Sequence, residues 1–426
     1  MKKLLLYQLI ISQLQEDGFP QAARVVSEAT MTPFPQEGAI EEQKLLKLVD
    51  TGVKVTAKSK ERSDHPINKV LEEAFGGVLA QQRDRCLDYE SVEKGKEHVL
   101  TLPDFQTRFI TTHKDVCRCA QFSNDGKLVV TGSNDSSIKL IDVDKMKHYK
   151  SDGGGDEFTQ SRPVARTFYD HSQTVNELMF HPFLPMLASC SADQTIKFYD
   201  YSKASTKKAS RSIQDTHGVR SIHFHPSGDF LLAGTDHHMI RLYDLNSGQA
   251  FTCSDPKDHH QSSVNVVRYA YTPNISIFAS CSKDGTIKLW DSVQNKCIKT
   301  LVNAHNGFEV TCLQFSRNHK YLLSGGRDSH VRIWDLATDR QLRSFNGCVQ
   351  TATFNHTEDF VLTSDEGTSE ALVWDSRTGT LVQRLTGHSN HVRAIAASPV
   401  ENSLMTCSDD HRARYWVGTD PPPDFI

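Results

Sequence analysis

Residues 283–291, Lys-Asp-Gly-Thr-Ile-Lys-Leu-Trp-Asp, join a tight-turn dipeptide to a short run of strand-forming residues. A comparable run recurs along the chain and usually ends in an aromatic or aliphatic residue followed by Asp. The seven endings are SIKLID (137–142), TIKFYD (195–200), MIRLYD (239–244), TIKLWD (286–291), HVRIWD (330–335), EALVWD (370–375) and the variant RARYWV (412–417). Most are spaced by about 40–45 residues, which suits a unit of four strands. The repeat predicts an all-β, seven-bladed propeller.

Each unit also carries polar residues at fixed positions, with a His roughly twenty residues before a turn Asp in five of the units. The pairs are His113 with Asp135, His171 with Asp193, His260 with Asp284, His305 with Asp328 and His388 with Asp410. Three units add a strand hydroxyl and a tryptophan: Ser280 and Trp290, Ser324 and Trp334, Thr406 and Trp416. These units resemble WD repeats, in which such residues form a hydrogen-bonded network inside the blade. A buried carboxylate needs partners, so we expect a structural role.

Two units depart from this pattern. The third has His237 where the turn Asp belongs, and the sixth, LTSDEGTSEALVWD, has no His-to-Asp pairing. We expect these two blades to be held together more weakly than the others.

Ring closure is also predicted, because the final unit runs out of chain after Trp416 and can supply only three strands. Residues 105–110, Phe-Gln-Thr-Arg-Phe-Ile, are expected to supply the missing outer strand and so remove an open sheet edge. The propeller is therefore expected to span 105–420, with a tail at 421–426. A charged linker with one possible short helix, at 68–75, is expected over 58–104.

The first 57 residues predict a small α-helical dimerisation domain. Leu6, Ile10 and Leu14 form one helical stripe and Tyr7 and Ile11 another, and Val25 and Val26 belong to a second helix after Gly18. A helical unit this small is below the roughly 70–80 residues at which a lone core is comfortable, so we expect these apolar residues to form a homodimer interface. The alternative is that the helices pack on the propeller wall. Residues 6–29 also resemble a LisH-type dimerisation motif.

Composition narrows the class of protein further. The 48 Lys and Arg residues against 52 Asp and Glu give a formal charge of −4, which lacks the basic excess of a phosphate-tracking nucleic-acid binder. The apolar start of the chain is interrupted by Gln8 and has no small-residue cleavage site, so neither a secretory signal nor a membrane span is expected. Cys190, Cys281 and Cys407 recur at one strand position, which favours core packing in a reducing compartment.

No pattern in the chain predicts catalysis, a cofactor or a metal site. The sequence lacks GxSxG, HExxH and P-loop motifs, and its notable His and Asp residues belong to the repeat. His237-His238 and His259-His260 are neighbours on strands or turns and are not expected to chelate one ion. Four arginines near strand starts, Arg118, Arg220, Arg268 and Arg393, form a candidate partner-binding rim, the alternative being ordinary solvated strand ends.

Several phrases resemble one family, the fifty-kilodalton WD-repeat subunits of cleavage stimulation factor. They include LIISQL near the start, FYDYSK at 198–203, FHPSGDFLL at 224–232, FNHTEDFVL at 354–362 and MTCSDDHRARYW at 405–416. The resemblance implies a nuclear, non-catalytic scaffold subunit that supports pre-mRNA 3′-end cleavage and polyadenylation. It implies a homodimer that contacts a HAT-repeat scaffold subunit and an RRM-bearing subunit, with links to the RNA polymerase II C-terminal domain and at most weak or indirect RNA contact.

An alternative from another class is a WD-repeat substrate receptor of a cullin-type ubiquitin ligase. Residues 374–377, Trp-Asp-Ser-Arg, fit the short WDxR pattern of such receptors. Four residues are weak evidence, and the propeller fold by itself does not separate the two functions.

Overall fold

The computed structural model describes residues 89, 104–149, 162–203, 208–253, 255–270, 277–347, 350–365 and 367–419. Their strands form seven antiparallel sheets of four strands each, and each sheet is one blade. The innermost strands are β2 (Cys117–Phe122), β6 (Val175–Phe180), β10 (Val219–Phe224), β14 (Val264–Tyr269), β18 (Val310–Phe315), β22 (Ala352–Phe354) and β26 (Val392–Ala397). The second strands are β3 (Leu128–Ser133), β7 (Met186–Ser191), β11 (Phe230–Thr235), β15 (Ile277–Ser282), β19 (Tyr321–Gly326), β23 (Phe360–Asp365) and β27 (Ser403–Ser408).

The outer half of each blade completes the four-stranded sheet. The third strands are β4 (Ile138–Asp142), β8 (Thr195–Asp200), β12 (Arg241–Asp244), β16 (Ile287–Asp291), β20 (His330–Asp335), β24 (Glu370–Asp375) and β28 (Arg412–Thr419). The outermost strands are β5 (Val164–Phe168), β9 (Arg211–Gln214), β13 (Ala250–Thr252), β17 (Lys296–Leu301), β21 (Gln341–Asn346), β25 (Leu381–Leu385) and β1 (Asp104–Thr112). Blades 1 to 6 begin at β2, β6, β10, β14, β18 and β22, and blade 7 combines β26–β28 with β1.

The ring is closed by the N-terminal strand of the described propeller. Strand β1 pairs antiparallel with β28, so blade 7 takes its outermost strand from the opposite end of the chain, as the sequence predicts. The Gln383 side chain of blade 6 adds a clasp, since its Oε1 accepts from the Phe105 N–H at 3.1 Å and its Nε2 donates to the Phe105 carbonyl at 3.2 Å. The innermost strands contact their neighbours in an unbroken circuit from β2 through β26 and back to β2.

The hydrophobic core lies between adjacent blades rather than within one. The cluster between blades 1 and 2 combines Val130 and Leu140 with Leu178 and Phe180, and comparable clusters fill the other junctions. The second strands are buried along nearly their whole length, and in β7 all five residues 187–191 are buried. The repeated cysteines Cys190, Cys281 and Cys407 are buried free thiols in this layer, which agrees with a packing role.

A short helix, α1 (Val143–Lys147), follows β4 and was not predicted from the sequence. The carboxylate of Asp142 caps it by accepting from the Lys145 N–H at 3.2 Å, while buried Val143 and Met146 pack under blades 1 and 7. Helix α1 is followed in the sequence by residues 150–161, which include three consecutive glycines at 153–155 and lie outside the described ranges.

The predicted dimer-interface residues, Leu6, Tyr7, Ile10, Ile11, Leu14, Val25 and Val26, lie outside the described residues, as does the short helix predicted at 68–75. Within the described part of the chain, no helix is long and apolar enough to cross a membrane.

Candidate functional site

The polar residues of blade 4 form a continuous chain of hydrogen bonds. The Asp284 carboxylate can only accept, so Nδ1 of His260 carries the proton and donates to it at 3.1 Å. Burial lowers the pKa of His260 and keeps the ring neutral, so its Nε2 accepts from the Ser280 hydroxyl at 2.7 Å, while the indole N–H of Trp290 donates to Ser280 Oγ at 2.8 Å. The chain of bonds fixes the neutral Nδ1–H tautomer of the imidazole, and the buried hydroxyl and ring are both satisfied.

Three other blades repeat this arrangement, and a fourth repeats it loosely. The His Nδ1-to-carboxylate and Nε2-to-hydroxyl distances are 2.8 and 2.6 Å for His171, Asp193 and Ser189, 2.8 and 2.8 Å for His305, Asp328 and Ser324, and 2.9 and 2.7 Å for His388, Asp410 and Thr406. Trp334 donates to Ser324 Oγ and Trp416 donates to Thr406 Oγ1, as Trp290 does to Ser280 Oγ in blade 4. In blade 1, His113 lies 3.7 Å from Asp135 and bonds instead to Ser137 and Thr131, each at 2.9 Å.

Blade 3 carries a different network that sequence reasoning missed. Asp215 stands where the other blades have His, and it is 3 % exposed. Its carboxylate accepts from the Tyr243 hydroxyl at 2.5 Å and pairs with Arg241 at 2.9 Å. Blade 3 therefore has its own internal network, in which Asp215 bonds to Tyr243 and Arg241 rather than to a His. That this blade is held together more weakly than the others stays a prediction. Among the described residues of blade 6, only the bond from Trp374 Nε1 to Thr363 Oγ1, at 2.9 Å, remains of the pattern.

The networks predict loss of stability in acid. Burial lowers the pKa of His113 to about 4, and it also lowers the pKa of His260, His305 and His388. The unfolded chain binds protons at these groups near pH 6.5, whereas the folded chain does not, so the free energy of unfolding should fall as pH drops from about 6.5 towards 4. Although burial opposes ionisation of Asp193, hydrogen bonds from His171 and Thr195 keep its pKa well below the usual range, which adds a further loss below about pH 4. Urea unfolding at pH 7.5, 6 and 5 checks this, and equal midpoints at the three values would contradict it.

The central channel is lined by side chains that bond across blade boundaries. Inner strands expose one unpaired edge each, and in several blades a side chain of the preceding blade satisfies it. Glu177 accepts from the Ile222 N–H at 2.8 Å, Ser221 from the Val267 N–H at 3.1 Å, and Gln314 from the Phe354 N–H at 2.8 Å. These polar side chains are thus committed to holding the ring together.

A β-bulge opens the inner strand of each of six blades, one residue into the strand. The bulged residues are Arg118, Asn176, Arg220, Asn265, Thr311 and Arg393, and the corresponding stretch of blade 6 includes residues outside the described ranges. Three of the four arginines predicted for a partner rim therefore occupy one repeated position. We call Arg393, Arg118 and Arg220 the arginine arc.

Arg268, the fourth predicted rim arginine, does not belong to the arc. It lies four residues into β14, where its guanidinium pairs with Glu177 of blade 2 at 2.5 Å and donates to Ser221 of blade 3 at 3.2 Å. Like the other three arginines, Arg268 lies near the start of an inner strand in the sequence. Its different position within that strand, however, lets it link blade 4 to blades 2 and 3.

Tyr89 is a contact that the predicted linker did not suggest. Its hydroxyl donates to the Ser376 carbonyl at 2.6 Å, its ring meets Tyr321 edge-on at 5.2 Å between centroids, and Arg343 lies 5.8 Å above that ring. Burial raises the pKa of Tyr89, which keeps the phenol a donor. Tyr89 itself is thus bound to blade 5, through Tyr321 and Arg343, and to blade 6, through Ser376.

This contact bears on the WDxR alternative, because Ser376 belongs to the Trp-Asp-Ser-Arg tetrapeptide. The side chain of Arg377 is 15 % exposed and lies 3.7 Å from Asp359, and its carbonyl accepts from Arg343. The arginine that an adaptor would need is thus half-buried and already paired with Asp359. This argues against a substrate receptor of a cullin-type ubiquitin ligase.

The histidine pairs are split between two roles. His260 belongs to the blade 4 network. The other three histidines form a row of neighbouring rings together with His217. The ring centroids are 4.7 Å apart for His217 and His237, 3.9 Å for His237 and His238, and 5.6 Å for His238 and His259. Among the residues that the structure describes, no group of three or more His, Cys, Asp or Glu side chains has the geometry of a metal site.

The fold and the repeated network define a class: this is a WD-repeat β-propeller. The family described as WD domain, G-beta repeat, matches residues 105–142, 162–200, 208–244, 251–291, 295–335 and 379–417, and the family described as CTF50, LisH domain, matches residues 3–63. The chain is 40 % identical over 415 residues to cleavage stimulation factor subunit 50 of Arabidopsis thaliana, covering 96 % of this chain and 94 % of that protein. The chain belongs to the cleavage stimulation factor subunit 50 family.

More distant relatives are similar to a smaller share of this chain. Nuclear distribution protein PAC1 of Arthroderma benhamiae is 28 % identical over 286 residues, or 60 % of this chain and 61 % of that protein. The WD repeat-containing protein 26 homolog of Arabidopsis thaliana is 22 % identical over 368 residues, or 82 % of this chain and 57 % of that protein. The similarity to cleavage stimulation factor subunit 50 of Arabidopsis thaliana thus covers a larger share of this chain than either of these two.

Proposed function

We propose that this protein is a nuclear, non-catalytic scaffold subunit of cleavage stimulation factor, supporting pre-mRNA 3′-end cleavage and polyadenylation through protein contacts. The observation that carries the proposal is 40 % identity across 96 % of the chain, which includes the N-terminal LisH match as well as the propeller. In support, the conspicuous His and Asp residues of blades 2, 4, 5 and 7 are bonded to each other within the blades. The partners under this proposal are a HAT-repeat scaffold subunit, an RRM-bearing subunit and the RNA polymerase II C-terminal domain.

Homodimerisation is part of the same proposal. The match to a LisH family at residues 3–63 contains the apolar stripe with Leu6 and Ile10, and LisH modules are associated with dimers. An acidic residue at position 10 would place a charge in the proposed apolar interface, where it lacks a partner. A dimer also gives the scaffold two propellers, which raises the effective concentration of bound partners.

Affinity purification from nuclear extract of cells expressing two differently tagged copies tests both parts. We expect stoichiometric recovery of a HAT-repeat protein and an RRM-bearing protein, together with the second tagged copy. The Ile10→Glu variant should lose the second copy, because the buried charge opposes association. Recovery of one tagged copy with neither processing subunit would contradict the proposal.

A matched variant separates this function from the ubiquitin-ligase alternative. Arg377→Lys keeps the charge but removes the planar guanidinium that a WDxR-reading adaptor would need. We expect the variant to recover the same processing subunits as the wild type. Recovery of a cullin adaptor by the wild type, with its loss in Arg377→Lys, would overturn the assignment.

A further inference from the structure

The arginine arc brings together three cations that are distant in sequence. Arg393 belongs to blade 7, Arg118 to blade 1 and Arg220 to blade 3, and each occupies the bulge one residue into the innermost strand. Equivalent positions in a closed ring lie at one end of the central channel. Asn176, between Arg118 and Arg220 in this order, donates to the Val219 carbonyl at 2.7 Å and adds no charge.

The three arginines differ in the partner that faces their positive charge. Arg393 makes a two-pronged ion pair with Asp409 at 2.7 and 2.6 Å, and Arg220 bonds to Asp236 at 2.5 Å. The residue of blade 1 that corresponds to these aspartates is Asn134, whose amide oxygen accepts from Arg118 Nε at 2.9 Å. Among the described residues, no carboxylate forms an ion pair with Arg118. The exposed guanidinium at the centre of the arc thus has a neutral partner where its equivalents have an acid.

The electrostatics of the arc favour an added anion. Partial dehydration at the channel mouth and repulsion by Arg393 and Arg220 lower the pKa of Arg118, while Asp409 opposes the shift. The two cations are close enough to destabilise the charge that Arg118 carries. An anionic group placed among them would relieve this repulsion and receive charge-assisted hydrogen bonds from the planar guanidinium.

We propose that the arginine arc binds one anionic side chain, a carboxylate or a phosphomonoester, of an extended peptide from a partner protein. This proposal rests on the proposed scaffold function and deepens it. It states which kind of chemical group of a partner protein binds at the channel mouth of blades 7, 1 and 3.

A peptide fits the arc better than RNA does. Asp236 and Asp409 form ion pairs with two of the three arginines. An RNA backbone, which carries a phosphate at every nucleotide, would therefore meet these carboxylates beside Arg118. The whole chain carries a formal charge of −4, which gives no long-range attraction for a polyanion. A single anion between acidic neighbours is better matched to one side chain of a peptide.

Fluorescence anisotropy with purified full-length protein and labelled glycine-serine peptides tests the proposal. The peptides carry serine, glutamate or phosphoserine at the centre and are otherwise identical. We expect affinity to rise in that order, because the phosphomonoester offers more acceptors and more charge. Arg118→Gln should weaken binding of the phosphoserine peptide about tenfold or more, the effect of losing one charge-assisted interaction.

The matched control is Arg327→Gln. Arg327 follows the second strand of blade 5, at the position of Asn134 in blade 1, but it pairs with Glu309 at 3.0 Å and lies outside the arc. We expect this variant to bind like the wild type, and both variants to keep the wild-type unfolding midpoint, since Arg118 and Arg327 are both exposed.

Three results would overturn the proposal: equal binding of the serine and phosphoserine peptides, unchanged affinity in Arg118→Gln, or Arg118-dependent binding of a single-stranded RNA probe without peptide binding. A glutamate peptide as tight as the phosphoserine peptide would support it and identify a carboxylate as sufficient. Because the assay uses only this protein and synthetic peptides, its outcome is independent of whether processing subunits are recovered from nuclear extract.

Discussion

Replacing Asp328 by alanine is expected to lower the free energy of unfolding by about 3–5 kcal/mol, the range for removing one partner of a buried ion pair. The carboxylate accepts from His305 Nδ1 at 2.8 Å and pairs with Arg332 at 2.8 Å, and the side chains of His305 and Arg332 are 0 % and 9 % exposed. Without Asp328, the buried guanidinium keeps its charge but loses its counterion. Urea unfolding followed by tryptophan fluorescence measures the change.

The matched control lies in blade 6, which has no His-to-Asp network. Among the residues that the structure describes, the Asp365 side chain bonds only within its own turn, where it accepts from the Gly367 N–H at 3.0 Å and the Thr368 hydroxyl at 2.7 Å. Asp365→Ala is expected to cost about 1 kcal/mol, the value of ordinary hydrogen bonds. If the two variants were equally destabilised, the blade network would contribute no more than turn capping does.

Deleting β1 is expected to have the largest effect of any change, because a chain that begins at residue 113 leaves blade 7 with three strands. The unpaired edge of β28 would be exposed, and the buried side chains of Phe105 and Phe109 would be missing from the core of the last junctions. Exposed edges pair with other molecules. We therefore expect this chain to aggregate, as measured by size-exclusion chromatography with light scattering.

A chain that begins at residue 86 is the control for this deletion. It retains β1 and also Tyr89, which bonds to the Ser376 carbonyl. We expect it to elute as a folded monomer, since the LisH-matched residues 3–63 are absent. A soluble, cooperatively unfolding chain from residue 113 would show that closure by β1 is dispensable.

Much of the fold could be predicted because its information is local. Apolar and polar side chains alternate with period two in the strands, and the His and Asp partners of a blade lie within about 25 residues of each other. Seven strand endings were counted, and the last unit lacked one strand, which residues 105–110 could supply. Each of these patterns can be recognised without knowing how the blades meet. The network of blade 3 was missed since its Asp215, Arg241 and Tyr243 replace the usual residue types.

The number of blades, the residues that tie most of them internally and the need for a closing strand all follow from the repeat in the chain. Which polar residues meet across blades depends on how the blades pack into a ring. Arg118 and Arg393 are 275 positions apart and become neighbours in one arc because β1 closes the ring, while Arg268 is drawn to Glu177 of another blade. Spacing along a chain specifies what a repeat contains, but contacts between repeats depend on the curvature and closure that packing of the whole ring imposes.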